Sequence, residues 1–157
     1  MNLEQQFKNL IKEAPQYGVP AQIMELGVVP ILKLYADRLT HQEYYLRQTL
    51  NDNLLMTILT NKDDPEIEKK VVYAFPSVKD AAQFQDNQDP QIVAKAFPTG
   101  QILFQMFTMK EVDSIVFIEQ PNDLKQTKEI NCKEFQNAIQ QQLKKLISIN
   151  SPPHNIA

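Results

Sequence analysis

The chain has 157 residues, one cysteine, and 16 lysine and arginine residues against 19 aspartate and glutamate residues, for a formal charge of -3. That length suits one domain, residues 1–157, able to bury its own core without a metal or disulfide staple, and the acidic balance gives no pull toward nucleic acid. A lone cysteine, Cys132, excludes an intrachain disulfide; no apolar run approaches the roughly 18 residues of a membrane span and no basic-then-apolar leader opens the chain, so a cytoplasmic protein without membrane contact is expected.

Leu3, Phe7, Leu10 and Ile11 recur at helical spacing with Glu4, Lys8, Lys12 and Glu13 on the other side, which predicts an amphipathic first helix. Pro15, Gly18 and Pro20 break it, and Pro20 can open a second helical segment at a first-turn position where its missing N–H costs nothing. This segment runs to about Leu39 and is apolar on nearly every side from Ile23 to Leu34, so it must be covered all round. Pro30 removes a hydrogen bond and presses on the carbonyl of Leu26, which predicts a kink or two short helices meeting between Gly27 and Pro30. Either the segment is core between the first helix and the sheet, or it is a partner surface, most simply a two-fold homodimer seam. Residues 1–39 are thus a helical N-terminal part.

From His41 to Asn61 the signals compete. Thr40 followed by Glu43 resembles a capping box, whereas Tyr44, Leu46 and Leu50, then Leu54, Met56 and Ile58, approach alternation on either side of Asn51-Asp52-Asn53. The second pattern predicts a hairpin, in which Tyr44 and Tyr45 point to opposite faces and only one ring can join the core. Asp63, Asp64, Glu66 and Glu68 beside Lys62, Lys69 and Lys70 then mark a charged connection between Asn61 and Lys70. The EF-hand order of ligands is absent from it, so a solvated linker is expected rather than a cation site.

The runs Val71 to Phe75, Ile92 to Phe97 and Ile115 to Ile118 are rich in β-branched and aromatic residues and alternate with helical stretches, Ser77 to Gln85 and Thr99 to Met109. They predict a βαβαβ core. Two of the strands lack polar alternation, as strands covered on both faces do, usually in a parallel or mixed sheet. Ser77 stands three residues before Asp80 and Thr99 follows a proline, which suits both as helix N-caps. Ala81, Ala82 and Phe84 give the first of these helices a small apolar face. In the second, Ile102, Leu103, Met106 and Phe107 share a face with Phe104 and Met109 to its side, a stripe that packs on a sheet or grips a ligand. The turn Phe97-Pro98-Thr99-Gly100 could offer N–H groups to an anion, though the chain has only three glycines and neither the Walker nor the dinucleotide spacing.

Three runs, Tyr73-Ala74-Phe75-Pro76-Ser77-Val78-Lys79-Asp80-Ala81-Ala82, Phe97-Pro98-Thr99-Gly100-Gln101-Ile102-Leu103 and Val112-Asp113-Ser114-Ile115-Val116-Phe117-Ile118-Glu119-Gln120-Pro121, resemble the N-terminal domain of SseB, the enhanced-serine-sensitivity protein, over roughly residues 54 to 147. In that family a strand enters a phenylalanine–turn–serine helix start, an apolar helix follows, and a strand ending in valine–asparagine–proline precedes a C-terminal helix. The glutamine-rich last helix and the full-length pattern also look like small uncharacterised cyanobacterial proteins. Neither resemblance implies a catalytic activity, a cofactor or site residues.

After a polar loop, Pro121 to Glu129, Asn131 can cap a last helix with Glu134 three residues on. Phe135, Ile139, Leu143, Leu146 and Ile147 form its apolar stripe, Gln136, Gln140, Gln141, Lys144 and Lys145 lie largely outside it, and Ser151-Pro152-Pro153 ends it, leaving a mobile tail to Ala157. Cys132 falls in the first turn of this helix, where the dipole favours a thiolate, so a reactive thiol is conceivable; the alternative is a small apolar residue tucked under the helix start. With His41 and His154 the only histidines, a Cys–His pair would need the fold to bring distant residues together. The expectation is an α/β or α+β fold, a mixed sheet of about five strands with N-terminal helices and a C-terminal amphipathic helix, residues 40–150 holding the sheet and its covering helices. Its expected role is a non-catalytic interaction or regulatory module that self-associates or binds another protein, without assigned catalytic, cofactor or metal residues. The rival is a small-molecule-binding protein or thiol enzyme with a pocket between sheet and helices.

Overall fold

A computed structural model describes residues 2–84 and 89–150. Helix α1, Leu3–Glu13, starts where the Asn2 side chain accepts the Gln5 N–H at 2.8 Å. Its stripe buries Phe7 and Leu10, and the same face also buries Gln6. A 3-10 turn, Ala14–Tyr17, ends at Gly18, whose φ of 78° is the left-handed conformation that glycine adopts without strain.

The proline-bent segment is three pieces in line: α2, Ala21–Ile23, a π-helical turn, Met24–Val28, and α3, Val29–Ala36. The expected irregularity is there, and its form follows from Pro30. A proline cannot donate into the preceding turn, and widening that turn to π spacing while placing Pro30 in the first turn of α3 removes the conflict.

Six strands form one mixed sheet: β1, Glu43–Thr49; β2, Thr57–Thr60; β3, Glu68–Phe75; β4, Ile92–Pro98; β5, Ser114–Gln120; and β6, Asp123–Asn131. Between them lie α4, Val78–Gln83, and α5, Thr99–Met106; α6, Cys132–Asn150, closes the described chain. The order is β4-β1-β3-β5-β6, with β2 paired to β3 beyond the end of β1. Only β3 and β5, the strands without polar alternation, run parallel. The alternation of β3, α4, β4, α5 and β5 along the chain is as expected, but β4 crosses to the far edge and pairs antiparallel with β1.

Two strand expectations differ from the structure. The residues taken as a hairpin do form two strands, and Asp52, at φ 63°, turns the chain between them. Their mutual pairing stops at a single Gln48–Leu54 bridge, because β2 finds the free edge of β3 and completes a longer ladder there. The stretch Pro121 to Glu129, expected as a polar loop, is mostly β6. A tight turn with Asn122 at φ 62° sends the chain back along β5, and as an edge strand with nearly every side chain exposed β6 carries no apolar alternation.

The two sheet faces are unequal. Tyr44, Leu46, Val72, Ala74, Ile115, Phe117 and Ile130 point to one side, where α1, the bent segment, α5 and α6 close a continuous core through Met24, Leu32, Leu103, Met106, Phe135 and Ile139. Among the described residues the opposite face carries only α4, whose Ala81 packs with Phe75 and Ile118 in a small cluster with Tyr45, Tyr73, Phe84 and Ala94 around it. Tyr44 is thus in the main core and Tyr45 in the minor one, as alternation requires.

Glutamines complete the helix ends on the thick face. Gln6 accepts the Gly100 N–H at 2.8 Å and donates to the Gln42 carbonyl at 2.8 Å, tying α1 to α5 and to the start of β1. Gln136, expected outside the α6 stripe, turns in and donates to the Met106 and Met109 carbonyls, each at 2.9 Å, which satisfies the end of α5. Ser77 caps α4 and Asn131 caps α6 as expected, through the N–H groups of Asp80 and Glu134. Thr99 does not cap α5: it is the first helical residue and its hydroxyl donates to the His41 carbonyl. The α6 stripe is buried at Phe135 and Ile139 but fades to solvent at Ile147, which is 65% exposed. No described helix is long and apolar enough to cross a membrane. The expected mobile tail with His154, and Gln85, the expected last residue of the Ser77 helix, lie outside the described residues.

Candidate functional site

Cys132 sits at the start of α6, but the helix dipole does not govern its thiol. The side chain is 1% exposed, and burial first, then the charge of Asp113, pushes the thiol up from 9.0 to about 11. Its own N–H donates to the Asp113 carbonyl at 2.9 Å. The expectation of a favoured thiolate is therefore overturned, and the small apolar residue under a helix start describes Cys132 better.

His41 belongs to another place. Its Nε2–H donates to the Glu119 carbonyl at 2.7 Å and its ring stands edge-on to Tyr44. Cys132 is clasped just before the start of β5 and His41 at its end, about 20 Å apart at strand rise. The two do not pair.

Around His41 is a polar knot that the sequence did not signal. Glu119 is 8% exposed; its Oε2 accepts the Thr40 N–H at 2.7 Å and the Thr40 hydroxyl at 2.6 Å, and its Oε1 accepts the Tyr44 hydroxyl. Burial, and then the hydrogen bond to Glu119, raise the Tyr44 pKa far above that of a free phenol. Thr40 and Glu43 thus form no capping box: the chain there enters a strand, and the threonine serves Glu119 instead. The knot locks the α3–β1 connection to the end of β5.

The other polar candidates are also occupied structurally. Lys69 and Glu68 already belong to β3, and Lys69 pairs with Glu129 across the sheet surface. The described residues hold no group of three or more histidine, cysteine, aspartate or glutamate side chains disposed around a metal position. At the start of α5 the N–H groups of Thr99 and Gly100, which could have met an anion, are used by the Gln42 carbonyl and by Gln6.

Two surface features are mainly apolar. Along the bent segment Met24, Val28, Val29, Ile31 and Leu32 go to the core while Ile23, Leu26 and Leu34 stay 38%, 39% and 59% exposed, so the segment that looked apolar all round is core on one side and open on the other. A groove of about 570 Å³ runs between α1 and α5, walled by Leu10, Tyr17, Val19, Phe104 and Phe107, with Tyr17 more than half exposed and packed edge-on against Phe104. In the α5 stripe, therefore, Ile102, Leu103 and Met106 are core and the two phenylalanines line the groove. Comparison of the chain with protein-family models, with curated proteins and with solved structures finds no match.

Proposed function

We propose that the protein is a non-catalytic interaction or regulatory module of the cytoplasm that self-associates through the outer side of the bent segment, with another protein as the other possible partner. The observation that carries this reading is the line of Ile23, Leu26 and Leu34, left in water on a segment whose other side is packed. Residues 54 to 147, whose motifs we read as resembling the SseB N-terminal domain, would on this reading supply most of the sheet and the α6 helix on which that side is mounted. A two-fold contact would place the segment against its own copy, the simplest closed way to cover such a surface. Light scattering over a concentration series tests it. A dimer mass that Leu26→Asp and Leu34→Asp convert to a monomer is the expected result, and a monomer mass for the natural chain at every concentration removes the reading.

The second reading, a small-molecule-binding protein, is favoured by the groove between α1 and α5. A metabolite that occupies it would raise the thermal midpoint of the natural chain and leave that of a Tyr17→Ala variant unmoved.

A further inference from the structure

Arg47 lies on the thin face of the sheet and is 7% exposed. Its guanidinium carbon stands 4.8 Å from the Phe84 ring centroid and 5.7 Å from that of Phe75, and burial lowers its pKa. The rings favour a cation, yet they accept few of the five N–H donors that a guanidinium carries. Among the described residues no carboxylate lies within ion-pairing distance of it, since the one such pair is Lys69 with Glu129. Gln48 Oε1 is the one sealed side-chain atom without a partner among the described residues, so the unpaired guanidinium N–H groups of Arg47 open outward into the space beside them.

The space beside Arg47 is built for something small. It lines a cavity of about 360 Å³ together with Ala81, Ala82 and Gln83 from α4, Ile92 and Ala94 from β4, and Asp89. Ala94 is its cross-strand partner in the ladder, so a minimal side chain stands where a larger one would fill the space. Three alanines and an isoleucine supply the apolar part of the walls, with Gln83 and Asp89 beside them.

The geometry points to a binding site for a small organic monocarboxylate with an apolar body, its carboxylate held by the Arg47 guanidinium and its body between α4 and β4. A carboxylate matches a single guanidinium charge for charge and takes two of its N–H donors in parallel. A phosphate dianion would exceed the single charge of Arg47 by one, and Asp89 in the same lining disfavours that second negative charge. This site is on the opposite side of the sheet from the α1–α5 groove and stands whether or not the protein self-associates.

Sodium benzoate followed by two-dimensional NMR tests the site. The Arg47 Nε–Hε signal and the Ala81 and Ala94 amides are expected to shift saturably, benzamide to give no such response, and inorganic phosphate not to displace benzoate. Arg47→Met is expected to abolish the response, while Arg47→Lys, which keeps the charge but loses the planar fork, weakens it by about tenfold. Ala94→Leu leaves Arg47 in place and fills the cavity; loss of binding is expected there too, so the test stands even if Arg47→Met does not fold. Shifts confined to the α1–α5 groove, equal binding of benzamide, displacement by phosphate, or benzoate binding unchanged in both Arg47→Lys and Ala94→Leu would each overturn the proposal.

Discussion

Glu119 is a carboxyl group with 8% of its surface in water, and three hydrogen-bond donors, two from Thr40 and one from Tyr44, hold it in place. Removing one donor while the acceptor stays buried costs more than the bond contributed, because water cannot replace it. Tyr44→Phe should therefore lower unfolding free energy by about 1–3 kcal/mol in urea titration, whereas Tyr45→Phe, on the other face of the same strand, should change it by no more than about 0.5 kcal/mol. Equal effects at the two tyrosines would show that the knot adds nothing. Cys132 makes a different prediction. Its thiol is raised from 9.0 to about 11 in the fold, so the unfolded chain loses that proton first, and stability falls as pH rises. The contribution is complete below about pH 9 and gone above about pH 11; Tyr44, also raised, adds a loss of the same sign beginning near pH 10. The urea midpoint should drop across this window, and less steeply in Cys132→Ala. At neutral pH iodoacetamide should label the native thiol far more slowly than the unfolded one; equal labelling rates would mean that the thiol is not buried.

At the scale of elements, the π-turn decides how α6 meets the helical layer. It brings Gly27 so close that a methyl group built there would lie 2.4 Å from Leu143 Cδ2 and 3.1 Å from Leu146 Cδ1. Both are ends of half-buried side chains, so Leu143 can rotate away, and the better helix propensity of alanine offsets part of the cost. Gly27→Ala should thus be within about 1 kcal/mol of the natural chain, while the branched Gly27→Val should lose about 1–3 kcal/mol and recover part of it in combination with Leu143→Ala. Additive losses in the double variant would refute the contact. Elements of this kind were legible where the code is local: the α1 stripe, the caps at Ser77 and Asn131, and the disturbance around Pro30 all follow from neighbours in sequence. Elements settled by distant partners were not. β2 chooses β3 over β1 because an edge is available, and β6 has no apolar face to announce it. The site was legible least of all, since the groove joins Tyr17 to Phe104, and Cys132 takes its character from the core and from Asp113 rather than from its own helix start. Gln136 reads as lying outside its helix's stripe because glutamine is usually exposed, and only packing turns it inward.

For the whole molecule the decisive feature is the inequality of the two sheet faces. One bears a continuous core closed by α1, the bent segment, α5 and α6, and the other bears the six residues of α4 and a cluster of three buried apolar side chains, one of them α4's own Ala81. Local opening costs least where the fewest apolar contacts must be broken, so the two faces should not open together. Hydrogen exchange read by mass spectrometry should find β3 and β5 slowest, with exchange close to the global unfolding limit, and α4 and the edge strand β4 markedly faster. Because Arg47 lies beneath α4 and opposite Ala94, benzoate should slow exchange in α4 and β4 and leave α1 unchanged, whereas self-association through the bent segment should slow α2 and α3 and leave α4 alone. The two proposals thus act on opposite faces and can fail separately. If α4 exchanges as slowly as β5 in the free protein, the faces unfold as one unit, and the thin face is no more open to a small ligand than the thick one.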